Sequence, residues 1–382
     1  MEFNKITFNM RILHVVNIYF TLSYFGDQFD HFQKKGYKEF LVCSPSEYLP
    51  EYAKQHGIEY LEVPINRKIS LVDDIKAIKA VYHYIKKNNI DIVVGHTPKG
   101  ALVGIVASFL ARVPKRLFFR HGLVYETSKG VVRWCIMAAD RLTSFCATKI
   151  ICVSPSVLQG SIKDRLAPAY KQGVLNKGTC NGVDTHFHFN PKNVDNTKVA
   201  ELWVKYGIEE DDFVVGFTGR LVRDKGIIEL VEAFIKLKKN HKMKLLLVGM
   251  FEERDAIPES LKQNIMNDPD IIFTGFVNGG MELYYSLIDA YVLASYREGF
   301  PTGVLEAQSM SIPVLTTRAT GCRDSIVDGV TGFFVSHDSD DIAEKLLMLM
   351  KYGKSIGRNG RRWVLENFDS HVIWDEIEKL YN

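Results

Sequence analysis

The stretch that indicates most about the fold of this chain is Ser295-Tyr-Arg-Glu-Gly-Phe-Pro-Thr-Gly-Val-Leu-Glu-Ala-Gln-Ser-Met-Ser-Ile-Pro313. The apolar run Ala290–Ala294 before it is typical of a buried strand, and Val304 to Met310 has helical periodicity. Two glycines and a proline lie in the turn between them. A strand, a glycine-bearing turn and a helix N-terminus can together present unpaired N–H groups to an anion. The stretch therefore predicts an α/β fold with an anion site at this turn, although such units also occur without one.

The composition is that of a globular protein long enough for two domains. The chain has 382 residues, of which 46% are hydrophobic and 24% are charged. Residues 1–190 carry 25 Lys and Arg against 15 Asp and Glu, whereas the remainder carries 23 against 30. The basic first half predicts an anionic partner, unless the excess is spread evenly over exposed helices. A membrane surface or a phosphorylated substrate is favoured over nucleic acid, because no basic run or recognisable nucleic-acid module is present.

The cysteines and the apolar stretches predict a cytoplasmic protein. Six cysteines are scattered without a Cys-x-x-Cys pair, which is typical of reduced thiols and not of a disulfide framework or a zinc site. Met1 to Asn9 is polar and mixed, so no signal peptide is expected. The longest apolar stretch, Ala101 to Val113, is interrupted by Arg112 and is too short to span a bilayer.

The first half alternates apolar runs of strand length with segments of helical length, which predicts βαβ units and a parallel sheet. The predicted strands are Arg11–Val16, Glu39–Cys43, Ile58–Val63, Asp91–Val94, Arg116–Phe119 and Lys149–Val153. Ligands of open parallel sheets bind beyond the carboxyl ends of the strands. The residues that follow those ends are therefore candidates for a site: Asn17 to Gly26, His96-Thr-Pro-Lys99, Arg120-His121-Gly122 and Ser154.

A second α/β run begins at Asp212, after a turn-rich segment (177–184) and a polar, patternless segment (186–196) that predict a linker. Its predicted strands are Phe213–Thr218, Lys244–Val248, Ile271–Thr274, Ala290–Ala294, Pro313–Thr316 and Gly332–Val335, with three further helices closing the chain. The predicted fold class is α/β, with two doubly wound Rossmann-like domains facing across a cleft that is a natural ligand site.

The segment Gly219-Arg220-Leu-Val-Arg-Asp-Lys225-Gly226 predicts a phosphate site where a strand ends and a helix begins. Arg220 can bind a phosphate through two N–H groups, Lys225 can add a point charge, and the following helix adds its dipole. Glu298 and Glu306 are carboxylates that can accept hydrogen bonds from hydroxyl groups. Cations beside hydroxyl acceptors favour a nucleotide sugar as the ligand.

The paired glutamates Glu298 and Glu306, with seven residues between them, resemble the signature of glycosyltransferase family 4. Further segments are similar to that family, and in the front half to bacterial polysaccharide and lipid-linked-oligosaccharide transferases: Gly219–Gly226, Thr320–Gly332, His96–Gly100, Arg120–Gly130, Cys152–Ser156 and Cys180–Asp184. The resemblance covers nearly the whole chain.

The resemblance implies a GT-B fold and a retaining transfer that needs no metal or other cofactor. It implies an acceptor-binding domain over residues 1–190, a nucleotide-sugar-binding domain over residues 191–369, and a C-terminal helix (370–382) that crosses back onto the first domain. The donor would be a nucleotide sugar, with uridine favoured over guanosine. The acceptor would be a polyprenyl-diphosphate-linked saccharide at the inner face of an anionic membrane.

The resemblance also implies roles for individual residues. Arg220 and Lys225 would bind the donor diphosphate, Glu306 the ribose hydroxyls and Glu298 the hydroxyls of the donor sugar. The remaining donor-binding residues would be Phe300, Pro301, Thr302 and Gly303, together with Gly26 in a first loop where the family usually carries a glycine pair. The resemblance places His121 at the reacting sugar or the acceptor. His96, Lys99 and Arg120 are predicted to bind the acceptor with it because they form a polar, cationic set beyond the ends of the predicted strands.

Three alternatives are weighed against this interpretation. Asp268-Pro-Asp270 and Asp338-Ser-Asp340 fit an Asp-x-Asp manganese pattern, but acidic residues before a strand and at a helix N-cap explain them better. A sugar-nucleotide epimerase could share the two-domain architecture, and it would need no acceptor. A non-catalytic nucleotide-sugar sensor is disfavoured, because the whole set of cations, glutamates and His121 is present.

Overall fold

The computed structural model describes residues 10–66 and 70–382, with Ser23 and Tyr24 described by their backbone alone. The described chain divides into two compact units. The first unit extends to Asn181 and also includes Ile373–Asn382, and the second is Gly182–Val372. The segment 182–190, assigned to the first domain in the prediction, thus belongs to the second unit.

Each unit is built from parallel strands that alternate with helices. The strands are β1 (Arg11–Val15), β2 (Lys38–Cys43), β3 (Glu59–Glu62), β4 (Ile92–Gly95), β5 (Lys115–Arg120), β6 (Lys149–Cys152), β7 (Gln172–Gly173), β8 (Phe213–Thr218), β9 (Met243–Val248), β10 (Ile271–Gly275), β11 (Ala290–Leu293), β12 (Val314–Thr317) and β13 (Gly332–Val335).

The α-helices are α1 (Gln28–Lys34), α2 (Leu49–Gln55), α3 (Leu71–Asn88), α4 (Pro98–Leu110), α5 (Gly130–Cys146), α6 (Pro155–Lys163), α7 (Asn196–Tyr206), α8 (Ile227–Leu237), α9 (Glu259–Asn267), α10 (Met281–Tyr285), α11 (Thr302–Ser309), α12 (Ser339–Asn367) and α13 (Ser370–Tyr381). None of these described helices combines the length and the apolar character needed to cross a lipid bilayer.

The sheet of the first unit has the order β3-β2-β1-β4-β5-β6-β7, and every pairing is parallel. The chain adds β2 and β3 on one side of β1 and then continues with β4 on the other side. Val15 at the end of β1 is opposite Val42 of β2 and Gly95 of β4. The carboxyl ends of these strands therefore lie at one edge of the sheet.

The end of the chain completes the core of the first unit. Trp374, Ile377 and Tyr381 of α13 are buried in one cluster with Ile12 of β1 and Leu117 of β5. The indole N–H of Trp374 donates a hydrogen bond to Asn181 Oδ1 at 2.6 Å. The apolar face of the C-terminal helix thus packs on the first sheet, as expected for an amphipathic helix.

The sheet of the second unit has the order β10-β9-β8-β11-β12-β13 and is also entirely parallel. Its strands are buried on both faces, and α8 and α12 supply apolar side chains such as Phe234 and Leu346 to the same core. Runs of buried apolar residues are what a parallel sheet covered on both faces requires.

The predicted strands of both halves are confirmed to within a few residues at their ends, and three helices were missed. The missed helices are α2, α7 and α9, which are short or polar; α7 contains no buried residue. The prediction of three closing helices is wrong, because α12 is a single helix of 29 residues followed by α13.

The glycines of α12 explain this error. Gly353, Gly357 and Gly360 look like helix ends in the sequence, whereas the structure uses them for close packing. A Cβ atom at Gly357 would collide with the carbonyl oxygen of Ser311, and one at Gly360 would lie 3.0 Å from Gln308 Cγ. Tertiary packing therefore outweighs the low helix propensity of glycine.

Candidate active site

The strand order of the second sheet brings together the loops that carry the predicted donor-binding residues. β8 lies between β9 and β11, at the point where the direction of strand addition reverses. Ligands of open α/β sheets bind at this reversal, beyond the carboxyl ends of the strands. Arg220 and Lys225 lie in the loop after β8, and Glu298 lies in the loop after β11. Two segments far apart in the sequence are thus neighbours in the fold.

Lys225 and Glu298 are in direct contact at this edge. Nζ of Lys225 forms an ion pair with Oε1 of Glu298, and the two side chains are only 16% and 14% exposed. This ion pair engages Oε1 of Glu298 and not Oε2. An ammonium group retains further donors after one such contact. The pair can therefore offer both a cation to a phosphate and a carboxylate oxygen to a hydroxyl group.

Backbone contacts hold the two loops together. Ser295 Oγ and the N–H of Tyr296 both donate to the carbonyl oxygen of Asp224, at 2.9 and 2.8 Å. Gly226, the N-cap of α8, has a φ of 72°, and a Cβ there would collide with the carbonyl oxygen of Ala294. Only glycine permits this approach without strain. It places Lys225 and the N-terminus of α8 beside the loop that carries Glu298.

Arg220 is the more exposed of the two predicted phosphate ligands. Its side chain is 50% exposed, and Nη1 donates to Oε2 of Glu252 at 2.7 Å. Surface ion pairs of this kind contribute little to stability, so the guanidinium can change partners at low cost. Glu252 follows β9 and was not predicted as part of the site.

Glu306 belongs to a network of hydroxyl groups. Tyr285 donates a hydrogen bond to Oε2 of Glu306 at 2.7 Å, and the Tyr285 hydroxyl lies 2.9 Å from Thr218 Oγ1. The hydroxyl of Tyr291 lies 3.1 Å from the same Thr218 atom. Burial raises the pKa of Glu306 to about 7, and the bond from Tyr285 offsets only part of this effect. Glu306 therefore gains a full negative charge only above neutral pH.

The turn Phe300–Gly303 leads into α11. Phe300 packs against Phe368 with ring centroids 5.4 Å apart. Pro301 is the N-cap of α11 and, having no polar side chain, makes no capping hydrogen bond to Thr302 or the residues after it. A Cβ at Gly303 would lie 2.5 Å from the hydroxyl of Tyr291. The helix N-terminus is thus left to attract an anion, and glycine lets it approach the tyrosine hydroxyls.

The loop after β12 positions Glu298. The N–H of Glu298 donates to the carbonyl oxygen of Thr320 at 2.9 Å. Gly321 has a φ of 80°, and a Cβ there would lie 2.5 Å from the carbonyl oxygen of Gly299. The segment that begins at Thr320, noted in the sequence for its resemblance alone, therefore supports the backbone of the glutamate loop.

In the first unit the predicted residues His96 and His121 are neighbours. They follow β4 and β5, which are adjacent strands. Nδ1 of His96 lies 3.1 Å from Nε2 of His121. Burial lowers the pKa of His121 to about 4, and it lowers the pKa of His96 well below its ordinary value. Both imidazoles are therefore neutral near pH 7.

The prediction that Arg120 binds the acceptor needs correction. Its side chain is 1% exposed, and the guanidinium is paired with Asp140 of α5 at 2.5 Å. Other donors of Arg120 go to Ser161 Oγ at 2.6 Å and to Gln172 Oε1 at 2.7 Å. Arg120 ties β5 to the helices behind it and presents no free donor to a ligand.

Two further predicted residues, Lys99 in the first turn of α4 and Gly26, follow strands of the first sheet. Lys99 pairs with Asp74 at 2.5 Å, and this contact joins α4 to α3. Gly26, in the loop after β1, has a φ of 48°. The roles of Lys99 and Gly26 in ligand binding stay predictions.

Besides Glu252, five residues that surround the predicted ones were not predicted from the sequence. Tyr285, Tyr291 and Thr218 surround Glu306 in the second unit, and His14 and Glu39 adjoin His96 in the first. They lie inside strands or helices, where apolar periodicity is the only signal that the sequence provides. A histidine and a glutamate within otherwise apolar strands were the available hint.

The two Asp-x-Asp segments have local roles. Asp338 is the N-cap of α12 and accepts a hydrogen bond from the N–H of Asp340 at 2.9 Å. Asp268 and Asp270 both pair with Lys238, at 2.5 and 3.0 Å. The predicted helix-cap role of Asp338 is confirmed.

Two family models match the chain. The model described as Glycosyl transferases group 1 matches residues 200–363, which include Arg220, Lys225, Glu298 and Glu306. The model described as Glycosyl transferase 4-like matches residues 11–154, which include His121.

Individual relatives match nearly the whole length of the chain. It is 34% identical over 379 residues to the capsular polysaccharide biosynthesis glycosyltransferase CapM of Staphylococcus aureus, over 98% of this chain and 97% of that protein. It is 26% identical to the UDP-Gal:alpha-D-GlcNAc-diphosphoundecaprenol alpha-1,3-galactosyltransferase of Escherichia coli, over 89% and 88% of the two chains.

A solved structure shares the fold. HepE of Anabaena, in complex with UDP and glucose, aligns with a TM-score of 0.80 at 19% identity, covering 97% of this chain and 98% of that one. This likeness confirms the predicted α/β class with two Rossmann-like domains.

Proposed function

Because this chain belongs to the glycosyltransferase family described by the group 1 and 4-like models, we propose that it moves a sugar from a UDP-sugar to a lipid-linked saccharide, with retention of configuration. The observation that carries the proposal is the ion pair of Lys225 with Glu298 at the reversal point of the second sheet, together with Glu306, which is linked through Tyr285 to Thr218 at the end of β8. A cation beside two hydroxyl acceptors suits the diphosphate, ribose and sugar of such a donor.

The donor side of the proposal assigns one group to each part of the ligand. Arg220 and Lys225 bind the diphosphate, together with the N-terminus of α8. Glu306 accepts hydrogen bonds from the ribose, and Glu298 accepts them from the transferred sugar. The backbone from Phe300 to Gly303 meets the sugar and the phosphate. UDP as the nucleotide is supported by the UDP named for HepE and by the UDP-Gal named for the Escherichia coli relative.

The proposed chemistry is electrostatic. The bond from the anomeric carbon to the diphosphate oxygen breaks, and the acceptor oxygen forms its bond on the same face of the sugar. Negative charge grows on the leaving diphosphate, where Lys225 and Arg220 stabilise it. These cations can perform the task of a divalent ion, so we expect transfer to continue undiminished in EDTA, and a requirement for added Mn²⁺ would contradict this part of the proposal.

The acceptor is proposed to be a polyprenyl-diphosphate-linked saccharide in the assembly of capsule, O-antigen or a related glycan. The names of the Staphylococcus aureus and Escherichia coli relatives support this choice, since they specify capsular polysaccharide and a diphosphoundecaprenol acceptor. His121 of the first unit is proposed to contact the reacting sugar or the acceptor. The enzyme would then work at the inner face of the cell membrane.

One helix of the first unit supports the membrane part of the proposal. Val131, Trp134, Leu142 and Phe145, here called the α5 surface, are 77%, 67%, 50% and 70% exposed. Their spacing places them on one side of α5. Lys129 and Arg141 are exposed basic residues of this region, Arg133 is half-buried, and Glu126 is an exposed acidic residue just before the helix. Asp140 is engaged by Arg120. Apolar and basic side chains on one helix suit an anionic lipid surface.

The donor assignment is tested by transfer assays on matched lysine variants. A panel of nucleotide sugars is first screened by thermal stabilisation, and the best donor is then supplied with an undecaprenyl-diphosphate-linked saccharide. Lys225→Ala should lower kcat/KM by about 100-fold or more. Lys242→Ala is the control, because Lys242 pairs with Glu209 and precedes β9 at the opposite edge of the sheet. Equal transfer by both variants would refute the assignment.

The same assay separates transfer from epimerisation. Incubation of the labelled UDP-sugar without acceptor should leave the sugar unchanged apart from slow hydrolysis. A new epimer in this incubation would instead favour the epimerase, and retention is checked by the anomeric coupling of the transferred sugar.

Membrane binding is tested by co-sedimentation with anionic vesicles. The double variant Trp134→Ser/Phe145→Ser should lose most of its binding, because two large apolar side chains no longer enter the lipid interface. Val204→Ser removes a similarly exposed apolar residue, 84% exposed on α7, and should bind as the parent protein does. Binding that is equal for both variants and insensitive to salt would contradict the role of the α5 surface.

A further inference from the structure

Glu252 is a carboxylate beside the proposed phosphate ligands, and the proposed function gives it no role. It follows β9, and its Oε2 accepts a hydrogen bond from Nη1 of Arg220 at 2.7 Å. The side chain of Arg220 is 50% exposed and that of Glu252 is 32% exposed, so a ligand can reach both. A diphosphate that binds Arg220 therefore competes with Glu252 for the same guanidinium.

Backbone contacts hold Glu252 beside Arg220. The N–H of Leu221 donates to the carbonyl oxygen of Met250 at 2.8 Å, and Leu221 forms a parallel bridge with Phe251. Arg220 directly precedes this bridge on one segment, and Glu252 directly follows it on the other. The main chain thus fixes the origin of both side chains. A change of partner therefore needs only a rotation of the long arginine side chain, which has many rotamers.

The segment that carries Glu252 is attached to the loop after β8 at a second point. The N–H of Arg223 donates to the carbonyl oxygen of Asp255 at 3.0 Å, and the N–H of Asp224 donates to Oδ2 of Asp255 at 2.8 Å. Glu252 lies between this attachment and the bridge at Phe251. Its backbone is therefore held on both sides, and the carboxylate stays near the site when the guanidinium turns away.

Carboxylates surround Arg220 in the protein without ligand. Burial lowers the pKa of Arg220, but its hydrogen bond to Glu252 and the charge of that carboxylate raise it. The charges of Asp224 and Glu298 act in the same direction, so the pKa lies above its ordinary value. Of these three carboxylates, Glu252 is the one that pairs with Arg220 itself, since Glu298 pairs with Lys225. An anion at Arg220 therefore meets negative charge as well as positive charge.

The nucleotide product of the proposed reaction carries more negative charge than the donor. In a UDP-sugar the terminal phosphate is esterified to the sugar, whereas in UDP it has a second ionisable oxygen. The second pKa of such a phosphate is about 6, so UDP carries almost one additional negative charge at about pH 7. A carboxylate near the diphosphate therefore disfavours UDP more than it disfavours the UDP-sugar.

We propose that Glu252 is an exchangeable counter-ion of Arg220 that promotes the release of UDP after transfer, an inference that rests on the proposed function. Arg220 turns from Glu252 to the diphosphate when the donor binds. After the sugar has been transferred, Glu252 repels the additional charge of UDP and pairs with Arg220 again as UDP leaves. Glu252 makes no covalent bond and transfers no proton in this cycle. It is a positioning residue, because it acts on the nucleotide by competing for Arg220 and through its charge.

The first experiment compares the affinities for UDP and for the UDP-sugar by calorimetry. Glu252→Gln keeps the shape of the side chain and removes its charge. The Kd for UDP should fall by about 10-fold and that for the UDP-sugar by only about 2- to 3-fold, because UDP alone carries the additional charge. Glu253→Gln is the matched control, since it makes the same change in net charge at an exposed neighbour, and both Kd values should stay within about 2-fold of the parent. An unchanged ratio of the two Kd values in Glu252→Gln would overturn the proposal.

The second experiment measures product release. The rate constant of UDP dissociation, followed by stopped flow, should fall by about 10-fold in Glu252→Gln, because changes of affinity within one site arise mainly from dissociation. In the transfer assay, added UDP should inhibit this variant at about one tenth of the concentration that inhibits the parent. Glu252→Ala removes the same charge and should behave alike, so the test does not depend on one variant. Release as fast as in the parent by both variants would refute the role of Glu252.

The outcomes distinguish this inference from the proposed function. A parent protein that transfers the sugar and binds UDP, while Glu252→Gln binds UDP no more tightly, would overturn the role of Glu252 alone. A parent protein that binds no nucleoside diphosphate would overturn the proposed function and this inference together. The ion pair of Arg220 and Glu252 is exposed and contributes little to stability, so Glu252→Gln should melt with the parent in the absence of nucleotide.

Discussion

Ligand binding and the stability of the fold place conflicting demands on a half-buried carboxylate such as Glu306. As an ionised group it is a strong acceptor for ribose hydroxyls, but burial raises its pKa from 4.5 to about 7. Between these values the folded protein holds a proton that the unfolded chain has released. The stability of the fold therefore decreases as the pH rises from about 4.5 to about 7, and it stays lower above that range.

Replacing Glu306 by Gln should separate binding from stability. Gln can still accept the hydrogen bond of Tyr285 without burying a charge, so the variant should melt above the parent at about pH 8, by about 2–4 °C per kcal/mol regained. This advantage should disappear towards about pH 5. Affinity for UDP should fall by about 10- to 100-fold, because a charge-assisted hydrogen bond is lost. Melting curves and calorimetric titrations over this pH range measure both effects.

The parent protein supplies its own control for this prediction. Its affinity for UDP should rise between about pH 6 and about pH 8 as Glu306 ionises, whereas the affinity of Glu306→Gln should follow only the titration of the ligand. Identical pH profiles for the two proteins would show that Glu306 does not bind the ribose.

Arg120 is the opposite case, because it is a charged residue that stabilises the fold and does not bind a ligand. Arg120→Met should destabilise the first unit by about 3–5 kcal/mol, because Asp140 is left without its cation in a partly buried position. Denaturant unfolding measures this loss, with the exposed Lys87→Ala as the control. A folded variant of parental stability that fails only to bind the acceptor would restore the original assignment of Arg120.

At the scale of the element, α11 is shaped by one glycine. Gly303→Ala should lower stability by about 1–3 kcal/mol, because the new methyl group lies 2.5 Å from the hydroxyl of Tyr291 and outweighs the gain in helix propensity. UDP should also bind more weakly, since the displaced hydroxyls neighbour Glu306. Chemical denaturation and UDP titration are the measurements.

A second substitution identifies the cause. Adding Tyr291→Phe removes the nearest atom that the methyl group meets, so the double variant should recover part of the lost stability, while Thr218 Oγ1, 2.9 Å from the same Cβ position, still crowds the methyl group. If Gly303→Ala is as stable as the parent, or if Tyr291→Phe makes it worse, close packing is not the reason for glycine at this position.

The elements of this fold differ in how far the sequence predicts them. Periodicity predicted the strands of both sheets except the two-residue strand β7, because most of them are short apolar runs bounded by turns. It could not identify α12 as one helix, since Gly357 is a helix breaker by propensity and a packing contact in the fold. The residues of the site also differ in how far the sequence predicts them. Glu298 and Lys225 were predicted from residue type. The proximity of Glu39 and His14 to His96 follows only from the strand order, which is a non-local property.

At the scale of the whole molecule, the two units follow the same plan. In each sheet the direction of strand addition reverses once near the middle, between β1 and β4 in the first unit and between β8 and β11 in the second. The contact between His14 and His96 crosses the first reversal, and the pair of Lys225 and Glu298 lies at the second. Each unit thus carries its polar groups at the one position where parallel strands leave a crevice at their carboxyl ends.

Each unit has its own core, and this leads to a prediction about unfolding. Ile377 of α13 is 1% exposed within the core of the first unit, and Ile342 of α12 is 0% exposed within that of the second. Truncation of either to Ala should cost about 2–5 kcal/mol. Because the cores are separate, Ile377→Ala should shift the unfolding of the first unit and Ile342→Ala that of the second.

Hydrogen exchange resolved by peptide distinguishes the two transitions, and addition of UDP should protect the second unit alone in the Ile377→Ala variant. A single transition that both substitutions shift equally would mean that the two cores unfold as one.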